Sequence, residues 1–358
     1  MKSTAPRGPV SPPRHYPYVT RMLLDLYHRG ELTRVVDVAV EPEYGYATRI
    51  TYASGNVRTT FGNDLGLNPG AACDLATDKA YTKFFLDRDG IRCPRGAAFL
   101  LPWWAERIRS GRTRHITDMR LATDAPAYAE QLGLPVYVKP VHGSKGAGVF
   151  RCDTPAQVRA ALAAYAATRV RVALVEEAVD LPDYRLVVLR GELISAYLRT
   201  PLTVVGDGRA TVIQLAVALQ EQFEATGRDS ALDLDDPRIE ICLVRNGLSR
   251  DTVVAAGRRV MLHDISNLST GGTAHDVTDV VAPRWKALAA GVATRFGLTL
   301  AGLDLACADI REDAAEHSVL EINAAPGLDH YAAAGDRQQQ IVRDLYAKVL
   351  NLDPGRPK

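Results

Sequence analysis

Runs of residues in which apolar and polar positions alternate predict most of the strands in this chain. Strict alternation is typical of a half-buried strand, and β-branched residues strengthen the assignment. Two of the runs are joined through Ser54, Gly55 and Asn56, which predicts a hairpin. Strands are predicted at 35–40, 47–60 (two strands), 136–140, 149–152, 171–177, 183–199 (two strands), 300–310 and 317–327.

Other segments carry apolar residues at helical spacing, together with helix start and stop signals. Thr154 followed by Pro155 starts one helix, because Thr caps helix N-termini and Pro is favoured at the first helical position. Gly90 and Gly133 end two others. Helices are predicted at 74–90, 124–133, 154–166, 211–223 and 282–297. Since helices alternate with mostly antiparallel hairpins, the pattern predicts an α+β fold rather than a doubly wound parallel sheet.

Composition narrows the class of protein. The 358 residues are 47% hydrophobic and 24% charged, which is typical of a globular protein with two or three lobes. A net charge of +1 argues against a nucleic-acid partner held by bulk electrostatics. No apolar run approaches the ~20 residues that span a bilayer, so no membrane partner is expected. Residues 1–17 are rich in Pro, lack the apolar core of a secretory signal, and are expected to be a disordered lead-in.

Cysteine and lysine usage adds two expectations. The five cysteines contain no CxxC pair, which indicates a reduced, cytoplasmic protein. Only eight lysines occur, and Lys79, Lys83, Lys139 and Lys145 lie in or near turn-like or glycine-rich segments. Because arginine supplies most of the positive charge, these lysines indicate places where a compact ammonium is needed. Chance clustering is the alternative interpretation.

The segment "VYVKPVHGSKGAGVF" (136–150) predicts a glycine-rich loop between two strands. It is not a P-loop, because Lys145 is followed by Gly146 rather than by a hydroxyl residue. It is not a dinucleotide-binding turn either, since the glycine spacing differs and the loop leads into a strand. Glycines let backbone N–H groups approach phosphate oxygens closely. The loop therefore predicts a flap over an anion, with Lys139 reaching in from the strand; a plain hairpin turn is the alternative.

The segment "LVEEAVDLPDYRLVV" (174–188) places Glu176 and Asp183 seven residues apart. An extended segment after a strand can offer backbone groups to a flat heterocycle, and a carboxylate further on can accept from ribose hydroxyls. A solvated acidic loop is an equally acceptable interpretation.

The predicted hairpin 300–327 places Asp304 opposite Glu321, with Asn323 two residues further along the same strand face. These polar groups stand among apolar neighbours, where unpaired charge is costly. Hard oxygen ligands of this kind favour Mg²⁺ or Mn²⁺, and Mg²⁺ usually takes one or two carboxylates plus substrate phosphates. The alternative is a salt-bridged carboxylate in the core.

Taken in order, these motifs resemble the ATP-grasp carboxylate–amine ligases. The motifs are the helix that begins at Asp78–Lys79, "VKP–HGSKGAG", "VEEAV…D" and "D…LEINAAPG", which span about residues 78–331. Within that superfamily the chain most resembles the ATP-grasp part of cyanophycin synthetase and glutathione-synthetase-like enzymes, on the segments "VVGDG" (204–208) and "NLSTGGTAHDVTD" (267–279). The resemblance implies an ATP-grasp fold, in which two α+β lobes hold ATP, with a short N-terminal lobe.

The resemblance also implies roles for individual residues. ATP is bound by Lys79, Lys139, Gly143, Ser144, Lys145, Gly146, Gly148, Glu176, Glu177, Val179 and Asp183. Among these, Glu176 accepts from the adenine amino group, Val179 offers its backbone to the ring, and Asp183 holds the ribose. Magnesium is ligated by Asp304, Glu321 and Asn323. The substrates face Arg199, Asn267, Ser269, Thr270, Gly271, Gly272 and Gly327, and Lys79, Lys139 and Arg199 are the catalytic residues.

The motifs divide the chain into expected domains. After the lead-in 1–17, an N-terminal lobe covers 18–72 and an ATP-grasp domain covers 73–358. Within the latter, 95–200 is the small ATP-binding subdomain and 201–358 the metal and substrate subdomain. The glycine loop departs from the relatives at Lys145 and Ala147, and the N-terminal lobe is short. These departures favour an enzyme that catalyses one reaction on a different carboxylate and amine.

The expected function is amide or peptide bond formation at the expense of ATP. A carboxylate becomes an acyl donor once it accepts the γ-phosphoryl group, and an amine then attacks the acyl phosphate to release phosphate. The expected substrates are amino acids or small peptides, and the resemblance implies a homodimer or homotetramer. Open alternatives are a ligase that extends a protein or peptide tail, a phosphoryl-transfer enzyme that is not a ligase, and a nucleotide-binding module.

Overall fold

The structure is a computed structural model that describes residues 12–111, 120–143, 146–225 and 232–354. The predicted mixture of helices and antiparallel strands is confirmed. The strands are β1 Val35–Val40, β2 Ala47–Tyr52, β3 Val57–Phe61, β4 Gly96–Leu100, β5 Val136–Pro140, β6 Phe150–Cys152, β7 Val172–Glu177, β8 Asp183–Leu189, β9 Glu192–Thr200, β10 Thr203–Val205, β11 Arg259–Met261, β12 Thr273–Asp276, β13 Leu300–Cys307 and β14 His317–Asn323. The α-helices are α1 Tyr18–His28, α2 Gly70–Thr77, α3 Lys79–Arg88, α4 Pro102–Ser110, α5 Ala125–Leu132, α6 Pro155–Ala167, α7 Val212–Ala225, α8 Pro237–Arg245, α9 Pro283–Arg295, α10 Asp329–Ala332 and α11 Asp336–Leu350.

A four-stranded antiparallel sheet forms the smaller of the two layers that build the site. Its strand order is β4–β7–β5–β6. Helices α5 and α6 cover one face, and their alanines and leucines pack on apolar residues of β5 and β7. The Thr154–Gln157 capping box starts α6 as the sequence predicts.

A five-stranded antiparallel sheet, in the order β12–β9–β8–β13–β14, forms the larger layer. Side chains alternate along β8, so that Leu186 and Val188 pack towards α9 while Val187 and Leu189 pack towards α1 and α11. The sheet is therefore covered on both faces. A three-stranded sheet in the order β1–β2–β3 joins the α1 and α11 side, and Arg58 on β3 donates to the carbonyls of Val349 and Leu352.

A further layer with its own apolar core lies between residues 202 and 262. Strands β10 and β11 pair there, and helices α7 and α8 pack against them through residues such as Val212 and Leu243. No helix in the described ranges combines the length and the apolar character needed to cross a membrane.

The structure corrects one sequence prediction and shows how the strands divide between the sheets. The helix predicted at 74–90 is two helices, because Asp78 ends α2 in an extended conformation and caps α3 by accepting from the N–H groups of Ala80 and Tyr81. Strands β8 and β9 pair with β13 and β12 rather than with the small sheet. The chain thus passes from the smaller to the larger sheet between β7 and β8, and the expected domain boundaries stay predictions.

Candidate active site

A cleft lies where the two main sheets approach each other. Helix α3 supplies Lys79 and Lys83, β7 supplies Glu176, and β14 supplies Glu321. Apolar side chains complete its walls, and these are Ala76, Leu86, Leu174, Val319 and Leu320. An apolar cleft with a few convergent charged groups is the usual form of a small-ligand site.

Two lysines and one glutamate form a buried charge cluster in this cleft. The Lys139 ammonium contacts Glu176 Oε1, and Lys83 Nζ lies 3.0 Å from Glu176 Oε2. Glu176 is 4% exposed and Lys139 8%. Burial disfavours both charges, but the attraction of Lys139 and Lys83 holds the pKa of Glu176 below its ordinary value. In the same way, Glu176 and Glu321 raise the pKa of Lys139 against the effect of its burial. The ions stay charged because they compensate each other.

Lys79 joins the glycine loop to the larger sheet. It is the first residue of α3, directly after the Asp78 cap, and so its position is set by the helix start. Its Nζ donates to the carbonyl of Gly143 at 2.9 Å and lies 3.4 Å from Glu321 Oε1. Two residues that the sequence assigned to phosphate and to metal, Lys79 and Glu321, thus lie in direct contact.

The glycine loop leaves β5 and returns as β6, as predicted. Gly146 and Gly148 have φ angles of 67° and 68°, a left-handed conformation in which glycine is favoured. A Cβ on Gly146 would lie 2.2 Å from the side chain of Ile265, and Arg238 donates to the Gly146 carbonyl at 2.7 Å. The loop is therefore packed against the segment that precedes residue 267. The candidate residues Ser144 and Lys145 lie outside the described residues.

Four charged residues form a buried network on the larger sheet. Register places Asp183 opposite Arg199, and Asp304 opposite both Arg185 and Glu321. One Arg199 nitrogen lies 2.7 and 2.9 Å from the two oxygens of Asp183 and 2.8 Å from Asp304 Oδ2. Arg185 contacts both oxygens of Asp304. The predicted pairing of Asp304 with Glu321 is confirmed, and the two arginines are an addition to it.

The pKa values of the two carboxylates in this network are shifted in opposite directions. Burial raises the pKa of Asp183, and the nearby Asp304 charge adds to the rise while Arg199 opposes it. For Asp304 burial acts in the same sense, but Arg185 and Arg199 together hold its pKa below the ordinary value. The pKa values of both arginines are raised by these carboxylates, against the effect of burial. Asp304 is therefore the more strongly compensated carboxylate.

The proposed magnesium ligands fit a hard cation in part. Within the described ranges, no group of three or more His, Cys, Asp or Glu side chains is placed to hold a metal ion. Glu321 has one ion-pair partner, and the buried amide nitrogen of Asn323 has no hydrogen-bond partner in the described chain. Asp304 already has an arginine at each oxygen. Glu321 is thus the more available ligand; Asn323 could ligate only through its amide oxygen, since its unpaired amide nitrogen is a donor, and a site built on these groups needs phosphate oxygens to complete it.

Two other residues predicted to bind the nucleotide are Glu177 and Val179. Glu177 accepts from the backbone N–H of Arg95 at 2.9 Å and from its side chain at 2.7 Å. Its register partner on β5 is Val136, whereas Lys139 pairs with Leu174. Glu177 is thus held at the outer end of the sheet, away from the Lys139–Glu176 contact. Val179 is half-buried in the irregular segment that follows β7.

The predicted substrate segment forms a compact turn beside the larger sheet. Asn267 accepts from the backbone N–H of Ser269, and its carbonyl accepts from the N–H of Gly272 at 3.0 Å. A Cβ on Gly272 would lie 2.6 Å from the Thr200 carbonyl, so only glycine lets the turn meet β9. Thr270 donates to the Asn267 carbonyl. Gly271 has a φ angle of 96° and ends the short 3-10 helix 268–270.

Two site residues were missed by sequence reasoning. Lys83 was noted as one of the rare lysines but received no role, although it contacts Glu176 one helical turn after Lys79. That i, i+4 spacing on α3 is a readable signal. Arg185 was not noted at all, and only the pairing of β8 with β13 brings it to Asp304. Gly327, which was predicted to face substrate, lies near Asn63 of the N-terminal lobe.

The architecture and the site define the class of protein. The chain superposes on a bifunctional glutathione synthetase from Pasteurella multocida with a TM-score of 0.54 and 21% identity, over 92% of this chain and 43% of that one. The chain has the ATP-grasp fold, as the motifs predicted.

Its relatives can be stated more closely. It is 32% identical over 307 residues to a cyanophycin synthetase from Geminocystis herdmanii. The aligned region covers 83% of this chain and 32% of the relative. It is 31% identical over 263 residues to a glutathione biosynthesis bifunctional protein from Streptococcus mutans, over 70% of this chain and 32% of that protein. No family model matches the chain. The predicted resemblance to ATP-grasp ligases is confirmed, and the chain spans about a third of the length of these relatives.

Proposed function

We propose that this chain is an ATP-dependent carboxylate–amine ligase that forms an amide bond and releases ADP and phosphate. One observation carries the proposal: Lys79, which contacts the glycine-loop carbonyl of Gly143, also contacts Glu321 of the larger sheet. Phosphate-binding and metal-binding groups are therefore adjacent in a cleft whose walls are apolar. The relatives, which are amide-forming ligases of this fold, support the same reaction class.

The chain's own residues would act mainly by positioning and by offsetting charge. Lys79, Lys139 and the backbone of the glycine loop hold the phosphates, where ammonium and N–H groups stabilise the charge of the transferred phosphoryl group. Glu321 and the amide oxygen of Asn323, together with Asp304 once its arginines move, would hold magnesium, which would neutralise further phosphate charge. Closure of the cleft over the substrates would exclude water, which would otherwise hydrolyse the acyl phosphate.

Binding of the adenosine part of ATP would require local rearrangement of ion pairs. Glu176 is engaged by Lys139 and Lys83, and Asp183 by Arg199. Accepting from the adenine amino group or from ribose hydroxyls therefore means that these carboxylates share or exchange partners. Because Glu176 has two cationic partners, it retains one when Lys139 turns to a phosphate. We propose that the Glu177 side chain positions Arg95 and does not contact the nucleotide.

For the substrates we propose an amino acid or small peptide as the carboxylate and an amine of the same class. Arg199 lies beside Asp304 on the larger sheet, where a guanidinium can pair with a substrate carboxylate. The turn 267–272 lies next to β9 and to the glycine loop, and it offers backbone and hydroxyl groups. All five cysteines are free, which supports a cytoplasmic location.

Product analysis tests the proposal. The full chain is incubated with ATP, Mg²⁺ and all pairs of the twenty amino acids, and both phosphate and new amides are measured. Phosphate release that requires a carboxylate and an amine together, with one amide formed per ADP, is the expected result. Phosphate release with a hydroxyl acceptor or bicarbonate instead would overturn it. Binding of ATP without turnover, after peptides and protein tails have also been supplied, would assign the chain to nucleotide binding alone.

A further inference from the structure

Two tryptophans and three arginines form an exposed cluster on the smaller lobe, which we call the arginine–indole surface: Trp103, Trp104, Arg107, Arg169 and Arg171. Arg171 lies over the Trp104 ring at 4.6 Å from its centroid, and Arg107 over the same ring at 6.0 Å. Arg169 lies over the Trp103 ring at 6.0 Å. The two rings are 5.5 Å apart in an edge-to-face arrangement. The five side chains thus form one connected array.

The indoles provide a rigid support for the arginines. Trp103 donates its ring N–H to the Val170 carbonyl at 2.9 Å, and the Leu101 N–H donates to the Arg171 carbonyl at 3.0 Å. Helix α4, which carries both tryptophans, is therefore tied to the start of β7. A guanidinium that stacks on a fixed ring loses less entropy when it pairs with an anion than one on a free side chain.

None of the three arginines forms an ion pair with a carboxylate in the described part of the chain. All three are exposed, and Arg120, whose carbonyl accepts from Leu100, adds a further exposed guanidinium nearby. Exposed arginines without a carboxylate partner also occur elsewhere in the described chain, for example Arg34, Arg88 and Arg258; what sets the three arginines of this surface apart is that they lie around one pair of indole rings. Among the described residues, positive charge is therefore concentrated here with no carboxylate in ion-pair contact, which suits an anionic partner.

We propose that the arginine–indole surface binds an acidic polypeptide, whose side-chain carboxylates pair with the guanidinium groups. Three arginines already lie over the indoles, so the rings are not free to stack on bases, as single-stranded nucleic acids require. The surface instead presents guanidinium groups, each of which can form bidentate hydrogen bonds to a carboxylate. The partner it fits is therefore a flexible chain rich in Glu or Asp.

The surface lies at the end of the small sheet from which the glycine loop departs. Val172, the residue after Arg171, accepts through its carbonyl from the N–H of Val141, which follows β5 and precedes the loop. The surface thus lies on the same sheet as Leu174 and Glu176, which line the cleft of the proposed ligase. Binding itself needs neither ATP nor turnover, so it is tested independently of the proposed reaction.

The test uses the full chain and a labelled poly-L-glutamate of about 20 residues, which is long enough to cross the surface. Binding is measured by fluorescence anisotropy without ATP, at about 0.05 M and 0.5 M salt, because surface ion pairs are screened. The variant replaces Arg107, Arg169 and Arg171 by Gln. The matched control replaces Arg34, Arg88 and Arg258 by Gln, since these arginines are also exposed and form no ion pair within the described chain.

We expect salt-sensitive binding that the triple variant weakens roughly tenfold or more and the control leaves within about twofold, from the usual size of charge-assisted contacts. Thermal unfolding checks that the variant is folded; if it is not, the single variants Arg107→Gln and Arg171→Gln carry the same comparison. Absence of binding, or equal loss in the control, overturns the proposal. So does tighter binding of a single-stranded oligonucleotide through the same arginines, which would assign the surface to nucleic acid.

Discussion

Replacing Glu176 by Gln tests the buried charge cluster at the centre of the cleft. The substitution keeps the shape of the side chain but leaves Lys139 and Lys83 buried without their shared carboxylate. Removing one partner of a buried ion pair costs about 3–5 kcal/mol, because the remaining charge is uncompensated. Lys83 is 14% exposed and can turn towards water, so we expect the lower part of that range, about 3 kcal/mol.

The adjacent residue offers a matched control. Glu177→Gln removes the same charge from the same strand, but its partner Arg95 has a side chain that is 71% exposed. Surface pairs contribute about 0–1 kcal/mol, so the control should change the free energy of unfolding by no more than that. Urea unfolding of the two variants and of the unsubstituted chain gives the comparison, provided that the m values agree.

The pH dependence supplies a second readout. Because the folded-state pKa of Glu176 is below its ordinary value of 4.5, its contribution to stability is fully present above pH 4.5 and is lost as pH falls through the lower folded pKa. The difference between Glu176→Gln and the unsubstituted chain should therefore shrink in acid. If Glu176→Gln is no more destabilising than Glu177→Gln at neutral pH, the cluster is not the compensated ion set described above.

Three further predictions concern the reaction and the turn beside β9. Glu321→Ala should lower kcat by more than ~10²-fold in an amine-dependent phosphate-release assay while the thermal unfolding midpoint is retained, and full activity would contradict the metal assignment. Lys139→Ala should weaken ATP binding measured by calorimetry, and an unchanged Kd would count against the loop as a phosphate site. Gly272→Ala should destabilise the chain by about 1–3 kcal/mol, because its Cβ would meet the backbone oxygens of Thr200 and Asn267 at 2.6 and 2.7 Å. Gly70→Ala is its control, since nothing lies within 4 Å of the added atom, and equal effects of the two substitutions would refute the steric reasoning.

Local patterns predicted the parts of the site that lie on one hairpin or one loop. Asp304 and Glu321 lie opposite each other on β13 and β14, which are consecutive strands joined by residues 308–316. The strand–loop–strand geometry of the glycine flap was likewise readable from 136–150. Such features depend on contacts between residues close in sequence.

Contacts between distant strands could not be predicted in the same way. Arg185 meets Asp304 across 119 residues of chain, and only the order of β8 and β13 in the sheet decides that pairing. The break between α2 and α3 was locally encoded, because Asp78 is a favourable N-cap, but the helical periodicity continued past it and outweighed the cap. The nucleotide role that the resemblance implies for Glu177 stays a prediction, although alternation along β7 directs its side chain to Arg95 rather than to Lys139.

The contact between Lys79 and Glu321 has a thermodynamic consequence for the proposed enzyme. While the pair is intact, each group neutralises the other, so the affinity of Lys79 for phosphate and the affinity of Glu321 for a cation are both reduced. A phosphate that draws Lys79 away leaves Glu321 uncompensated and so increases its affinity for a cation. By reciprocity, a cation that engages Glu321 releases Lys79 for phosphate to the same degree. Nucleotide and metal would therefore bind cooperatively, through a single ion pair that both must break.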